Sequence, residues 1–158
     1  MRGAALLMPL LVAGAIVLVG LAAAFYPRQS LVLSTQTDRQ SYAAGTLVNV
    51  SVVLDVRGSA AVSIASLCGR YEIGFVVVAQ NGSTIYNSFT STFPRFCPQL
   101  GDTTTLAPGW RESRSLTWNQ TDDLGRPAVL GESYSISPYL LGDPSIEPVL
   151  LSSRIYLG

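Results

Sequence analysis

Histidine and lysine are both missing from the 158 residues, so all ten cations are arginines. Without an imidazole or a side-chain amine, the chain cannot assemble a Ser-His-Asp or Cys-His nucleophile. The same lack removes a Ser-Lys dyad, a Schiff-base lysine, a histidine-bearing zinc site and a lysine-containing phosphate loop. Cysteine is limited to Cys68 and Cys97, too few for a four-thiolate metal centre. Charge is sparse as well: charged residues make up 13% of the chain and cancel to zero net. No basic stripe exists for nucleic acid, and no polybasic patch for anionic lipid. What remains is carboxylate chemistry. Asp122-Asp123, with Asp143 and Glu147 in another loop, lack the alternating Asp spacing of a calcium loop and read as solvated charges. A glycosidase pair needs a cleft that a small domain seldom has. These absences predict a protein that is not an enzyme and that uses no cofactor, no metal and no nucleic acid.

One long apolar run is present. From Gly3 to Ala24 the chain carries no charge and is broken only by Pro9, enough to span roughly 30 Å of hydrocarbon as a helix. Arg2 and the amino terminus favour an orientation that leaves everything after Tyr26 outside the cytoplasm. Ala22-Ala23-Ala24 resembles a signal-peptidase site, but the run is longer than the roughly 7–15 residues of a usual signal core. Arg2-Gly3-Ala4 also resembles the processing site of archaeal pilin-type signals. The expectation is a single-pass anchor in the cell membrane through residues 4–24, or a secreted domain if cleavage occurs near Ala24. Residues 1–25 then form the anchor or signal, 26–30 a connector and 31–158 a single domain.

Export gives the rarer residues a meaning. An even pair of cysteines outside the cytoplasm reads as a disulfide, Cys68 with Cys97. It would close a loop of about 30 residues, with an entropic stabilisation of roughly 3–4 kcal/mol. Three asparagines, Asn49, Asn81 and Asn119, head glycosylation sequons.

Beyond residue 27 no helical period appears. Leu31-Val32-Leu33 opens a first β segment, and from Thr46 the chain alternates strictly, with Val48, Val50, Val52, Leu54 and Val56 on one face. Ala60 to Leu67 gives another β segment. Tyr71 to Gln80, Asn81-Gly82 and Ser83 to Phe89 then predict a two-residue type I′ hairpin that sets Val77 opposite Tyr86. Thr90 to Asp102 reads as a connection and Leu106-Ala107-Pro108-Gly109 as a turn. Arg111 to Trp118 alternates again, with Trp118 entering the core. Another strand begins at Gly131, and Val149 to Leu157 closes the fold. The pattern predicts an all-β, immunoglobulin-like Greek-key sandwich of about 7–9 strands behind one N-terminal helix.

Leu106-x-Pro108-Gly109, Leu116-x-Trp118-Asn119-Gln120-x-Asp122 and Gly125-Arg126-Pro127-Ala128-Val129-Leu130-Gly131-x-x-Tyr134 together resemble the C-terminal signature of intracellular proteinase inhibitor (BsuPI-type) domains. Looser matches extend the likeness over residues 40–140: Tyr42-x-x-Gly45-Thr46-Leu47-Val48-x-Val50, and Tyr71-x-Ile73-x-Phe75-x-Val77 with Gly82-x-x-Ile85-Tyr86. The resemblance implies an immunoglobulin-like fold in which Tyr134 begins a core strand near Trp118, and it implies inhibition of a protease. The apolar leader and the cysteine pair depart from the family, as does Tyr86 where the family favours Trp.

Phe93-Pro94-Arg95-Phe96-Cys97-Pro98 is the most site-like stretch, because Arg95 between Phe93 and Phe96 on a stapled loop would dock with little ordering entropy. The functional expectation is a membrane-tethered, extracytoplasmic, adhesion-like module that binds another protein at the cell surface. Two alternatives are a structural subunit of a surface filament, in which homo-oligomers form and Leu31 to Thr37 completes a neighbour's sheet, and an exported protease inhibitor.

Overall fold

The computed structural model describes residues 30–66, 71–89 and 101–158. The expected membrane segment, both cysteines and the loop of Phe93, Arg95 and Phe96 lie outside these described residues. Among the described residues regular structure is entirely β, and no helix is long and apolar enough to cross a membrane.

Twelve strands follow in chain order. They are β1 (Ser30–Thr37), β2 (Ser41–Tyr42), β3 (Val48–Arg57), β4 (Val62–Ala65), β5 (Glu72–Val78), β6 (Thr84–Asn87), β7 (Thr103–Leu106), β8 (Arg111–Trp118), β9 (Glu132–Leu141), β10 (Asp143–Pro144), β11 (Val149–Leu151) and β12 (Ser153–Leu157). A four-stranded sheet has the order β11-β1-β3-β8, and a five-stranded sheet has the order β2-β12-β9-β5-β6. Their inner faces close on one core. Val48, Val50, Val52, Leu54 and Val56 point inward from β3, against Ile73, Phe75 and Val77 of β5 and Tyr134 and Ile136 of β9. The period of two along β3 forces this, because alternate side chains leave a strand on opposite faces.

A third, smaller sheet, β10-β4-β7, adds to the two that the sequence pattern predicts. It arises because β3 and β8 do not stop at the pair Asp55 and Arg111 but turn a corner and resume as β4 and β7 at Val62 and Leu106. Residues 56–61 on one strand stand against 107–110 on the other, and a surplus on one side of a ladder bends it. Leu106, expected in a turn, is therefore a buried strand residue. Its strand, Thr103-Thr104-Thr105-Leu106, has a single apolar side chain and so no period to read.

Two further departures have local causes. The hairpin between β5 and β6 is closed by Ala79 N–H donating to Ser83 O and Gly82 N–H donating to Ala79 O, which makes a three-residue loop. Gly82 alone takes a positive φ, 82°, while Asn81 does not. This is a type I turn with a glycine bulge instead of the expected type I′ turn. A second irregularity at Val77/Val78 then offsets the longer loop, and Val77 does lie opposite Tyr86. The closing segment is also not one strand: β11 runs parallel to β1, whereas β12 runs antiparallel to β9 in the other sheet. Thr35 guides this switch. Its buried hydroxyl donates to Ile136 O at 2.6 Å and accepts from Ser153 N–H at 2.9 Å.

Gly142 marks the passage from β9 into the small sheet. Its φ is +143°, and a Cβ there would stand 2.8 Å from Ile64 Cγ2 and 3.1 Å from Ala65 O. Only glycine fits so close an approach.

Candidate functional site

Trp118, at the end of β8, is the largest fully buried side chain. Its ring meets Tyr134 edge-on at 5.8 Å and Tyr86 at 6.3 Å, and Tyr86 in turn meets Phe75 at 5.7 Å. Two polar edges in the cluster, those of Trp118 and Tyr134, find partners, as burial of an aromatic with a polar handle favours. Trp118 Nε1–H donates to Thr121 O at 2.7 Å, and Tyr134 Oη–H donates to Val129 O at 2.9 Å. The second bond resembles the tyrosine corner of immunoglobulin-like sandwiches, in which a hydroxyl ties the start of a strand to the preceding loop.

Both bonds reach into residues 119–131, the longest loop among the described residues. The rest of that loop is equally constrained. Asp122 Oδ1 accepts the N–H groups of Leu124 and Arg126, and Oδ2 accepts from Arg126 Nε at 2.6 Å. The Arg126 N–H first, with further help from its guanidinium, holds the Asp122 carboxyl below the usual carboxylate range. Asp123 Oδ1 accepts from Asn87 N–H at 3.0 Å. Asp122 and Asp123 thus serve as acceptors for backbone donors, and among the described residues no three Asp, Glu or Cys side chains cluster for a metal ion.

Gln120 is the residue that sequence reasoning missed. It is buried, and it is the one described non-glycine residue with a positive φ, 59°. Its Oε1 accepts from Gly45 N–H at 3.0 Å, while Nε2 donates to Ala43 O at 2.9 Å and Thr46 O at 2.8 Å. One amide therefore locks the turn at residues 43–46 against the 119–131 loop. The exposed aliphatic side chains of this end stand on these two segments: Leu47, Leu124 (76% exposed), Val129 and Leu130. Beside them a groove of about 380 Å³ runs between the hairpin tip and the loop, lined by Ala79, Asn81, Ile85, Arg126, Val129 and Tyr134.

The strand ladders set the position of this patch. Ser30 pairs with Arg57, and Thr37 pairs with Val50. Val48 in turn pairs with Trp118. The patch thus occupies the end of the sandwich opposite to that at which β1 begins. Asn49, Asn81 and Asn119 are all exposed. Ser66 N–H and Oγ–H both donate to Asp102 O at 2.9 Å, so the described flanks of the two cysteine-bearing segments are hydrogen-bonded to each other.

At the other end, Tyr71 Oη donates to Glu112 Oε2. Burial first, and then the Glu112 carboxylate, push the phenol up to about 12 from its ordinary 10.0. The folded chain thus holds this proton more tightly than the unfolded chain. Its contribution to stability is complete below the ordinary tyrosine value and is lost as pH rises through about 12. A near-ultraviolet titration of tyrosinate should show a late step near pH 12 that vanishes in Tyr71→Phe; a titration unchanged by the substitution contradicts the assignment.

No protein-family model matches the chain, and no curated protein matches it. Solved structures show partial likeness. The crystal structure of the CARDB domain of the PF1109 protein from Pyrococcus furiosus, in complex with di-metal ions, is 11% identical with a TM-score of 0.46 over 82% of this chain and 93% of that one. Spo0M, a sporulation control protein from Bacillus subtilis, is 15% identical with a TM-score of 0.45 over 81% of this chain and 49% of that one. At this level of likeness nothing of their chemistry transfers.

Proposed function

We propose that the chain is a non-catalytic, extracytoplasmic protein-binding module of immunoglobulin-like Greek-key build, anchored in a membrane by residues 4–24. The observation that carries this reading is that four aliphatic side chains, Leu47, Leu124, Val129 and Leu130, stand exposed at one end of the sandwich on segments locked by Gln120 and Asp122. Apolar side chains held open to water on a rigid loop mark an interaction surface. Pre-ordering also lowers the entropic cost of docking. An apolar patch framed by one Asp-Arg pair suits a partner with a complementary apolar surface and little charge. In capture from surface extracts, wild-type chain should retain one partner that Leu124→Asp and Leu130→Asp lose and Arg154→Gln keeps. Loss on Arg95→Ala or Phe96→Ala alone would move the site to the loop of Phe93, Arg95 and Phe96 and sink the proposed patch.

The same reading includes a Cys68–Cys97 bridge and glycans on Asn49, Asn81 and Asn119. The Ser66–Asp102 bonds and the exposure of the three asparagines support it. Intact mass of the exported protein, taken with and without reductant and glycosidase, should report both. A mass equal to the bare reduced chain would remove them.

A second reading, a subunit of a surface assembly, is favoured by β11. Val149, Leu150 and Leu151 are about half exposed on an edge strand whose outer side is open among the described residues. The donated-strand version has less support, because β1 already pairs with β3 on one side and β11 on the other. Filaments in negative-stain images would favour assembly; uniform monomeric particles would remove it.

A further inference from the structure

The end of the sandwich at which β1 begins has its own chemistry. Ser30 lies six residues beyond Ala24, the last residue of the apolar run, and a stretch of that length reaches at most about 20 Å. Leu31 pairs with Val56, whose N–H donates to Trp110 O at 2.9 Å and whose O accepts from Gly109 N–H at 2.9 Å. Trp110 therefore stands at the same end as the point of chain entry, two strands away. Its indole is 46% exposed. Its side chain lies near the Tyr71 hydroxyl, which donates to Glu112. The residues around it, Ala107-Pro108-Gly109 and Gly58-Ser59-Ala60-Ala61, carry no charge. Two arginines toward this end face carboxylates: Arg57 Nε stands 2.9 Å from Asp55 Oδ2, and Arg114 lies 3.8 Å from Glu72 and 3.9 Å from Glu112.

We infer that this end of the domain rests on the outer face of the lipid bilayer, with the Trp110 indole seated among the headgroups of zwitterionic phospholipid. The inference rests on the proposed anchoring by residues 4–24 and adds the surface with which the domain meets the membrane. A half-exposed ring that is apolar in body and carries one N–H is suited to the headgroup layer, where tryptophan concentrates in membrane proteins. With arginines held against carboxylates, this end offers little to anionic lipid, and the attraction is to the interface itself. Docked this way, the sandwich turns the Leu124 and Leu130 patch toward the surroundings of the cell.

Trp110 and Trp118 are the only tryptophans, and Trp118 is fully buried, so the test can be read by fluorescence on the full chain. The chain is placed in phosphatidylcholine nanodiscs whose lipids are brominated near the glycerol backbone, and its emission is compared with that in unbrominated discs and in the presence of aqueous iodide. The expected result is a fall of about two-fold in the Trp110 emission with shallow bromine, little effect of iodide, and no bromine quenching in Trp110→Phe. Chain that stays in the discs but is quenched by iodide and not by bromine would overturn the docking while leaving the anchor intact. Chain that does not remain with the discs would remove the anchor and the docking together. Bromine quenching that appears only when phosphatidylglycerol is added would overturn the inference in favour of charge-driven adsorption.

Discussion

Replacing Trp118 with alanine should cost about 3–5 kcal/mol, the range for emptying an aromatic site in a packed core. The indole is fully buried and touches both Tyr86 and Tyr134, so no single neighbour can collapse into the space. Its N–H bond to Thr121 O is lost as well, and the first residues of the 119–131 loop are released. Against a total stability of roughly 5–15 kcal/mol for a domain of this size, the change removes a large share. Guanidinium unfolding of the full chain, followed by far-ultraviolet circular dichroism, should show the midpoint moving sharply downward with an unchanged slope. A shift of less than about 1 kcal/mol would mean that the aromatic cluster is not the centre of the core.

Gln120→Leu should destabilise by about 3 kcal/mol, although the side chains are similar in size. The substitution removes three hydrogen bonds from this joint, to Gly45 N–H, Ala43 O and Thr46 O, each worth about 1 kcal/mol. Leucine also tolerates the positive φ at this position poorly. The effect is spatially specific. Amide exchange should rise at residues 43–47 and 119–131 while the ladder between β5 and β9 keeps its protection. Equal loss of protection everywhere would mean that Gln120 supports the whole core and not the joint between two loops. Partner capture should weaken in step with the loosening, because the proposed patch stands on those two segments.

The legibility of this fold follows the strength of its periodicities. β3 and β8 are readable because five inward valines and leucines, and then Trp118, recur at every second position. β7 is not, since three threonines in a row suit either face of a strand or none. The split of residues 149–157 at Ser152 leaves no local mark: it depends on the hydroxyl of Thr35, more than a hundred residues earlier in the chain. Asn81-Gly82 pointed to the right hairpin with the wrong turn, because both I′ turns and glycine-bulge loops accept that pair. At the candidate site, Asp122-Asp123 could be read as a loop pair but not as acceptors for the N–H groups of Leu124, Arg126 and Asn87. The role of Gln120 could not, because its partners lie about seventy-five positions away and nothing in its own neighbourhood distinguishes it from a solvent-facing amide.

The lodging of β1 between an antiparallel and a parallel neighbour bears on how the domain carries tension. A pull at Ser30, opposed by a load on the far loops, acts along the strand and so strains its bonds to β3 and β11 in shear, many at once. Hydrogen bonds loaded together resist far more force than those peeled one by one, so the first strand is built as a mechanical clamp.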